Sequence, residues 1–409
     1  MAISVLEVII GICMAAVVYH YAGYPLLLFM VAVLSQAKSD LLYLFDRSSR
    51  RCVFRPDYLP RVALLVSAYN EAAVIRAKVS NTLQIDYPAD HLECFFGLDA
   101  PSDSTPEILA QMESSRVSVH HFDRRRGKLA VLCDLVQQTS AEILVLTDAN
   151  TMLDPNCVRN LVRHFADPRV GAVSGEEIRV ASAGTDPGAE SLYWRYESAL
   201  KVLESRLNCS LGGNGAALAV RRSLFNPQKQ SIVEDFQIPM EIRFKGYRVV
   251  YDPEAVAVEE ITPTFSAQFA RRVRIGAGNY QTLFDHPEYL NPLRGLLSFS
   301  FFSHRVLRWL APVLLVVAFL CSIPLATRFD LALPLAAQCF FYGMAGLGYW
   351  LRKHNKRSRL LAAPLYFCSM NLALFLGLVR YLSGRQSLAW SATPRIASEA
   401  LWTHTRGDR

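Results

Sequence analysis

Apolar and polar positions follow two different rhythms along this chain. From Ile3 to Leu34 the sequence is almost continuously apolar, with Glu7 as its one charged side chain. That run reads as a spanning helix of roughly 20 or more residues. It has no basic start and is too long and aromatic for a secretory signal peptide. Apolar runs return in the last third, at Trp309–Ala326, Leu331–Leu351 and Leu360–Leu382. At about 1.5 Å per helical residue, each can cross a hydrocarbon core about 30 Å thick.

Between these runs the rhythm shortens. Arg61 to Ser67 is a brief apolar burst of the kind that forms a buried parallel strand. A helical pattern follows from Ala68–Glu71 to near Thr82. Glu93–Leu98, Val117–His120 and Glu142–Thr147 read as three further strands, with a helix over Lys128–Gln137. The Pro- and Ser-rich turn Asp99–Pro106 precedes another helix, with Ser104 or Thr105 as its cap and Glu107 in its first turn. Strands alternating with helices imply right-handed crossovers and a mostly parallel, Rossmann-like α/β sheet. Ligands of such sheets bind beyond the carboxyl ends of the strands, where Tyr69, Asp99 and Asp148 fall. Leu296–Phe302, poor in charge and rich in aromatics, predicts an interfacial helix leading into His304–Trp309.

Composition sharpens this division. Over half of the 409 residues are apolar and only 19% are charged, so the membrane reading accounts for a bias that a soluble domain of this size lacks. Lys38, Arg47, Arg50 and Arg51 follow the first run, and Arg352, Lys353, Lys356, Arg357 and Arg359 separate the last two. Basic flanks favour the cytosolic side, which predicts four spans, a cytosolic central domain and both termini outside. Arg385, Arg395 and Arg406 in the tail run against that placement. The nine cysteines have no CxxC spacing, and several lie in apolar runs, so they read as small buried hydrophobes. The net charge of +7 comes with no nucleic-acid-binding motif.

Several clusters have the composition of a site. Arg126-Gly-Lys128 opens a helix, where a lysine beside backbone N–H groups suits a diphosphate. The adjoining Arg124 and Arg125 read equally well as a solvated basic run and are not assigned to the site. Asp148 and Asn150, in Thr147-Asp-Ala-Asn150, end a strand with hard oxygen donors suited to Mg²⁺ or Mn²⁺. Ile232-Val-Glu-Asp-Phe236 and Gln268-Phe-Ala-Arg-Arg272 add carboxylates and guanidiniums. Gly212-Gly-Asn-Gly-Ala216 would let backbone approach a sugar closely, or be a simple turn. Tyr193, Trp194 and Tyr196 suit an acceptor platform or ordinary packing equally.

Taken together, Ser67-Ala-Tyr-Asn-Glu71, Asp99, Lys128, the Asp148 segment, the Glu234-Asp235 pair and Gln268/Arg271 resemble the catalytic domain of membrane-bound family 2 glycosyltransferases, over about Pro60 to Tyr280. That group includes the synthases of cellulose, hyaluronan and poly-N-acetylglucosamine. The resemblance implies a GT-A domain, inversion at the anomeric carbon, a UDP-sugar donor and a divalent metal. It assigns Ala68, Tyr69, Asn70, Glu71 and Asp99 to the nucleoside, Lys128 and Arg271 to the diphosphate, and Gln268 to the nucleotide-sugar site. It gives Asp148 and Asn150 to the metal, Asp235 to the general base, and Glu234, Gly213, Asn214 and Gly215 to the acceptor side. Two departures stand out. Asn150 replaces the usual second aspartate of the DxD motif, and Arg272 replaces the tryptophan of QxxRW, which in processive relatives stacks near the acceptor end.

The expected organisation is a first span over 1–36, a cytosolic linker over 37–59, the GT-A domain over 60–286, an interfacial helix over 287–305, three spans over 306–384 and a tail over 385–409. The expected activity adds a β-linked sugar to a growing polysaccharide at the bacterial inner membrane, with export of the product through the spans. The alternatives are single transfer to a lipid acceptor of ceramide or polyprenyl type, and a degenerate module without catalysis.

Overall fold

The apolar bursts of the middle of the chain become strands buried on both faces. In the structure, a computed structural model, the described residues are 5–46, 57–180, 188–227, 231–260, 264–326, 332–354, 356 and 358–385. The basic residues Arg47, Arg50, Arg51, Arg357, Arg395 and Arg406 used for the topology lie outside them, as do Ile3, Leu331, residues 47–56 of the expected linker and nearly all of the expected tail.

The chain divides into two compact units. Of the described residues, the first comprises 35–46, 57–180, 201–227, 231–260 and 264–267 and is built on one eight-stranded sheet. Its strands are β1 (Val62–Ala68), β2 (Leu92–Asp99), β3 (Val117–Phe122), β4 (Ile143–Asp148), β5 (Thr151–Leu153), β6 (Val170–Val180), β7 (Leu218–Arg221) and β8 (Arg248–Glu260). Their spatial order is β3-β2-β1-β4-β7-β6-β8-β5. β3, β2, β1 and β4 are mutually parallel, as the alternating pattern predicts, and β6 pairs in parallel with β8. β7 runs antiparallel to both β4 and β6, and β5 antiparallel to β8.

Side chains alternate across the pleat, so β1 feeds two cores at once. Val62, Leu64 and Val66 join a layer with Ile75, Val79, Val158 and Leu161, while Ala63 and Leu65 join one with Leu132, Leu135, Ile238 and Ile242. Helices Ile75–Leu83 and Cys157–Val162 therefore cover one face, and Lys128–Gln137 and Glu234–Phe244 the other. Burying both faces explains why β1 shows no polar alternation.

The second unit comprises 1–34, 187–200 and 268–386. Among the described residues, three helical segments are long and apolar enough to cross a membrane: Val5–Phe45, Leu296–Leu325 and Arg359–Leu382. The expected span over Leu331–Leu351 is a 22-residue helix, Ala332–Lys353, which is not among those three. The first helical segment runs on past the expected boundary at 36. Its 41 residues would measure about 60 Å, twice the thickness of a hydrocarbon core, so a span would use only part of its length. Leu296–Phe302 is not a separate interfacial helix: it forms the opening turns of the 30-residue segment ending at Leu325. Within this unit Glu197 is buried and accepts from Arg308 Nη1 at 2.6 Å and from Tyr193 Oη at 2.5 Å. Tyr193 thus belongs to a packed ion network. All eight described cysteines are free.

Candidate active site

The parallel registry of β2, β1 and β4 brings their carboxyl ends level, with Ala68 opposite Leu98 and Ser67 opposite Asp148. Three chain breaks therefore open onto one edge. Each requires a sharp turn, and Asn70 (φ 54°) and Ala100 (φ 50°) enter the left-handed region there. The turns are laced together. Asn70 Oδ1 accepts from Ser102 N at 2.7 Å, Glu71 N donates to Thr105 Oγ1 at 2.9 Å, and Ala72 N donates to Asp103 Oδ2 at 3.1 Å. Asn70 thereby spends its side chain on joining two loops.

Asp99 is fully buried at the end of β2, and each of its oxygens accepts a backbone N–H: Arg126 at 2.8 Å and Gly127 at 2.9 Å. These bonds fix the turn at Gly127 (φ 92°), a conformation that suits only glycine, and set where Lys128 begins its helix. Asp99 thus anchors the loop of Lys128.

Lys128 is the centre of the site. Its Nζ lies 2.5 Å from Asp148 Oδ1 and 2.7 Å from Glu234 Oε1. Burial works against its charge, but Asp148 and then Glu234 outweigh that and hold the ammonium well above its ordinary range. The Gly212–Ala216 segment runs directly past this pair. A methyl group at Gly215 would lie 3.2 Å from Asp148 Oδ2 and 3.3 Å from Lys128 Nζ, so glycine allows the backbone to approach here. Asn214 anchors that segment rather than facing outward: its amide donates to Gly175 O at 2.6 Å and accepts from Ala217 N at 3.0 Å.

Asp235 follows Glu234 at the start of its helix, and its carbonyl accepts from Gly213 N at 2.9 Å. Burial, then the neighbouring Glu234 charge, pushes its carboxyl up to about 7, while Lys128 pulls the other way. A carboxyl tuned to that range takes up and releases a proton near neutrality, as a general base must.

Four residues not read from the sequence complete the arrangement. The Arg125 guanidinium stands 3.4 Å from the Tyr69 ring centroid, so the basic run is not simply solvated. Lys78 is fully buried beneath the Asp148 loop, donating to Thr147 Oγ1 at 3.0 Å and Thr151 O at 2.5 Å. Burial lowers its ammonium to about 7 against the pull of Asp148. Asn81 holds Leu153 through both its amide ends, at 2.8 and 2.9 Å. Glu259, buried on β8, accepts from Asn150 Nδ2 at 2.8 Å. Lys78 and Asn81 are legible in part, since they repeat at helical spacing on the face that carries Ile75, Val79 and Thr82 inward. Gln268, Arg271 and Arg272 lie on the helix Phe265–Asp285, in the second unit, where Arg272 rests 4.9 Å from the Tyr366 ring centroid.

The family model described as "Glycosyltransferase like family 2" matches residues 60–278, more than half of the chain. This chain belongs to that family. As a family 2 glycosyltransferase it is 26% identical over 308 residues to the beta-monoglucosyldiacylglycerol synthase of Synechocystis, covering 72% of this chain and 64% of that protein. It is 24% identical over 238 residues to the poly-beta-1,6-N-acetyl-D-glucosamine synthase of Staphylococcus aureus, covering 56% of each. The matches thus span about three-fifths of the length of these relatives. A mannosyltransferase from Pyrobaculum calidifontis, solved with GDP-Man and Mn²⁺, superposes over 92% of this chain and 100% of its own with a TM-score of 0.68 at 24% identity, which establishes the GT-A fold.

A divalent ion is the cofactor this family implies, and the donors present fit one. Glu259 accepts the Asn150 amide N–H, so the end of that amide not bonded to Glu259 is Oδ1, an oxygen donor. With the Asp148 carboxylate it offers two hard oxygens, and a diphosphate and water can complete the shell of Mg²⁺ or Mn²⁺. Among the described residues no group of three His, Cys, Asp or Glu side chains gathers as an all-protein cage.

Proposed function

We propose that this glycosyltransferase moves a sugar from a UDP-sugar to a hydroxyl of a membrane-held acceptor, with inversion and with Asp235 as general base. The observation that carries the reading is the pairing of Asp148 and Glu234 with one half-buried ammonium, Lys128, at the carboxyl edge of the sheet, with Asp235 next to Glu234 and within the field of that cation. Transfer to a hydroxyl needs a base for its proton and a cationic partner for the departing diphosphate. The cluster supplies both on one edge. Ala68, Tyr69, Asn70 and Glu71 form the nucleoside wall, with Arg125 against Tyr69. Lys128 holds the diphosphate. Asp148 and Asn150 hold the metal, which when bound neutralises charge on the leaving diphosphate. Glu234 and the Gly213–Gly215 backbone line the acceptor side. Asp235 accepts the hydroxyl proton as the anomeric carbon is attacked from the face opposite the diphosphate, which inverts it.

Two observations favour a lipid acceptor and single transfer over polymer growth. Arg272 stands where processive members carry the tryptophan, and the relative matched over the larger share of this chain is named for a glucosylated diacylglycerol. The site belongs at the cytosolic face of a bacterial plasma membrane, which supplies such an acceptor. Incubation of the detergent-solubilised chain with labelled UDP-glucose, UDP-N-acetylglucosamine or GDP-mannose and diacylglycerol-containing micelles tests this. One labelled glycolipid is expected. A ladder of oligosaccharides would replace the lipid reading with the polysaccharide one.

A further inference from the structure

The loop that carries both metal-directed oxygens is held at each end by buried bonds. Lys78 ties Thr147 to Thr151, Asn81 ties Leu153, and β5 pairs with β8 so that Thr151 lies opposite Glu259. With the backbone pinned, the remaining freedom at Asn150 is rotation of its amide. An amide can present either its oxygen or its NH₂ group to a cation, and only the oxygen binds one. Glu259 decides between them: a carboxylate oxygen accepts, so the NH₂ group must face it.

We infer that Glu259 is a positioning residue for the cation site, holding Asn150 Oδ1 outward and returning, one hydrogen bond away, the negative charge that Asn150 lacks. The inference rests on the cation reading given above. A carboxylate that accepts from the far side of an amide also polarises it and makes its oxygen a better donor, the usual effect of an outer partner on a metal ligand. In this reading the second carboxylate of the motif has not been lost. It has moved from position 150 to position 259, which sequence spacing cannot reveal.

Glu259→Gln keeps the shape and lets the 150–259 pair form in either orientation, so the orienting constraint and the charge are both removed. Asn150→Asp combined with Glu259→Gln exchanges the two groups: the Gln amide then donates to the Asp, and the charge returns to the ligand itself. The measurement is Mn²⁺ affinity of the solubilised full chain by electron paramagnetic resonance of free Mn²⁺, with UDP and separately with GDP present. Glu259→Gln is expected to weaken Mn²⁺ binding about 10- to 100-fold. The exchanged double variant is expected to return to within about threefold of the wild type. Because it carries the same Glu259→Gln change, its recovery excludes misfolding as the cause of the loss. Unchanged binding in Glu259→Gln, or a double variant as weak as the single, would overturn the inference and leave the proposed transfer reaction standing. Failure of the wild type to bind Mn²⁺ with either nucleotide would overturn the inference and the cation assignment together.

Discussion

Asp99 offers the most informative substitution, because its two bonds are purely to backbone. In Asp99→Asn the amide oxygen keeps one of the two N–H donors, while the NH₂ group is set against the other. One charge-assisted bond is lost, worth about 1.5–3 kcal/mol, and a buried N–H is left unmet, at about 1–3 kcal/mol. The total of about 2.5–6 kcal/mol is a large part of an ordinary domain's stability of about 5–15 kcal/mol. A domain of this size loses about 2–4 °C of melting temperature per kcal/mol, so the variant should melt roughly 5–24 °C lower. The loop from Arg126 to Lys128 would be released first, since Asp99 is what holds its N–H groups. Re-ordering two residues on binding costs about 2–4 kcal/mol, so UDP affinity should fall on the order of 10²-fold. Calorimetric titration of the solubilised protein with UDP, beside competition by uridine, reads both effects. If Asp99 acts through Lys128, UDP affinity falls and uridine affinity holds. An unchanged UDP affinity with a lowered melting point would refute the link to Lys128, and an equal loss for uridine would return Asp99 to the nucleoside.

Other consequences follow from the same cluster. Since the carboxyl of Asp235 is raised to about 7 and only its deprotonated form accepts a proton, kcat/KM should rise about tenfold per pH unit below 7 and level off above it; a profile flat down to pH 5 would exclude Asp235 as the base. In Lys128→Met the cation that lowers Asp235 is gone, so the residual activity should show its acid limb at higher pH, together with much weaker UDP binding; an unshifted limb would mean that the two groups do not communicate. Gly215→Ala sets a methyl group 3.2 Å from Asp148 Oδ2 and should raise the donor KM roughly tenfold with little change in melting, against wild-type kinetics if that backbone does not line the site.

The first half of the sheet was readable because its physics is local. Arg61–Ser67 and Glu142–Thr147 announce strands buried on both faces, and the helix over Lys128–Gln137 has the bounds its pattern predicts. β5 to β8 were not read. β7 has four residues, β5 has three, and β8 shifts register around Asp252, so these three give no clear period, whereas β6, at 11 residues, is long enough to have shown one. The candidate site divides in the same way. Asp148, Lys128 and Glu234 are marked by their places at strand ends and helix starts. Glu259 and Lys78 are not, because what they do depends on partners 109 and about 70 residues away in the chain. The helical extension to Asp46 was missed for a different reason: Gln36 and Asp40, hydrogen-bonded one turn apart, continue a helix that the apolar pattern had already left.

The central claim is that Asp235 removes a proton from an acceptor hydroxyl in a site assembled on Lys128. It is tested most directly by measuring sugar transfer and UDP binding side by side for the wild type and Asp235→Asn. The account expects transfer to fall about 10²–10⁴-fold while UDP affinity stays within about threefold. Near-normal transfer by Asp235→Asn would contradict it.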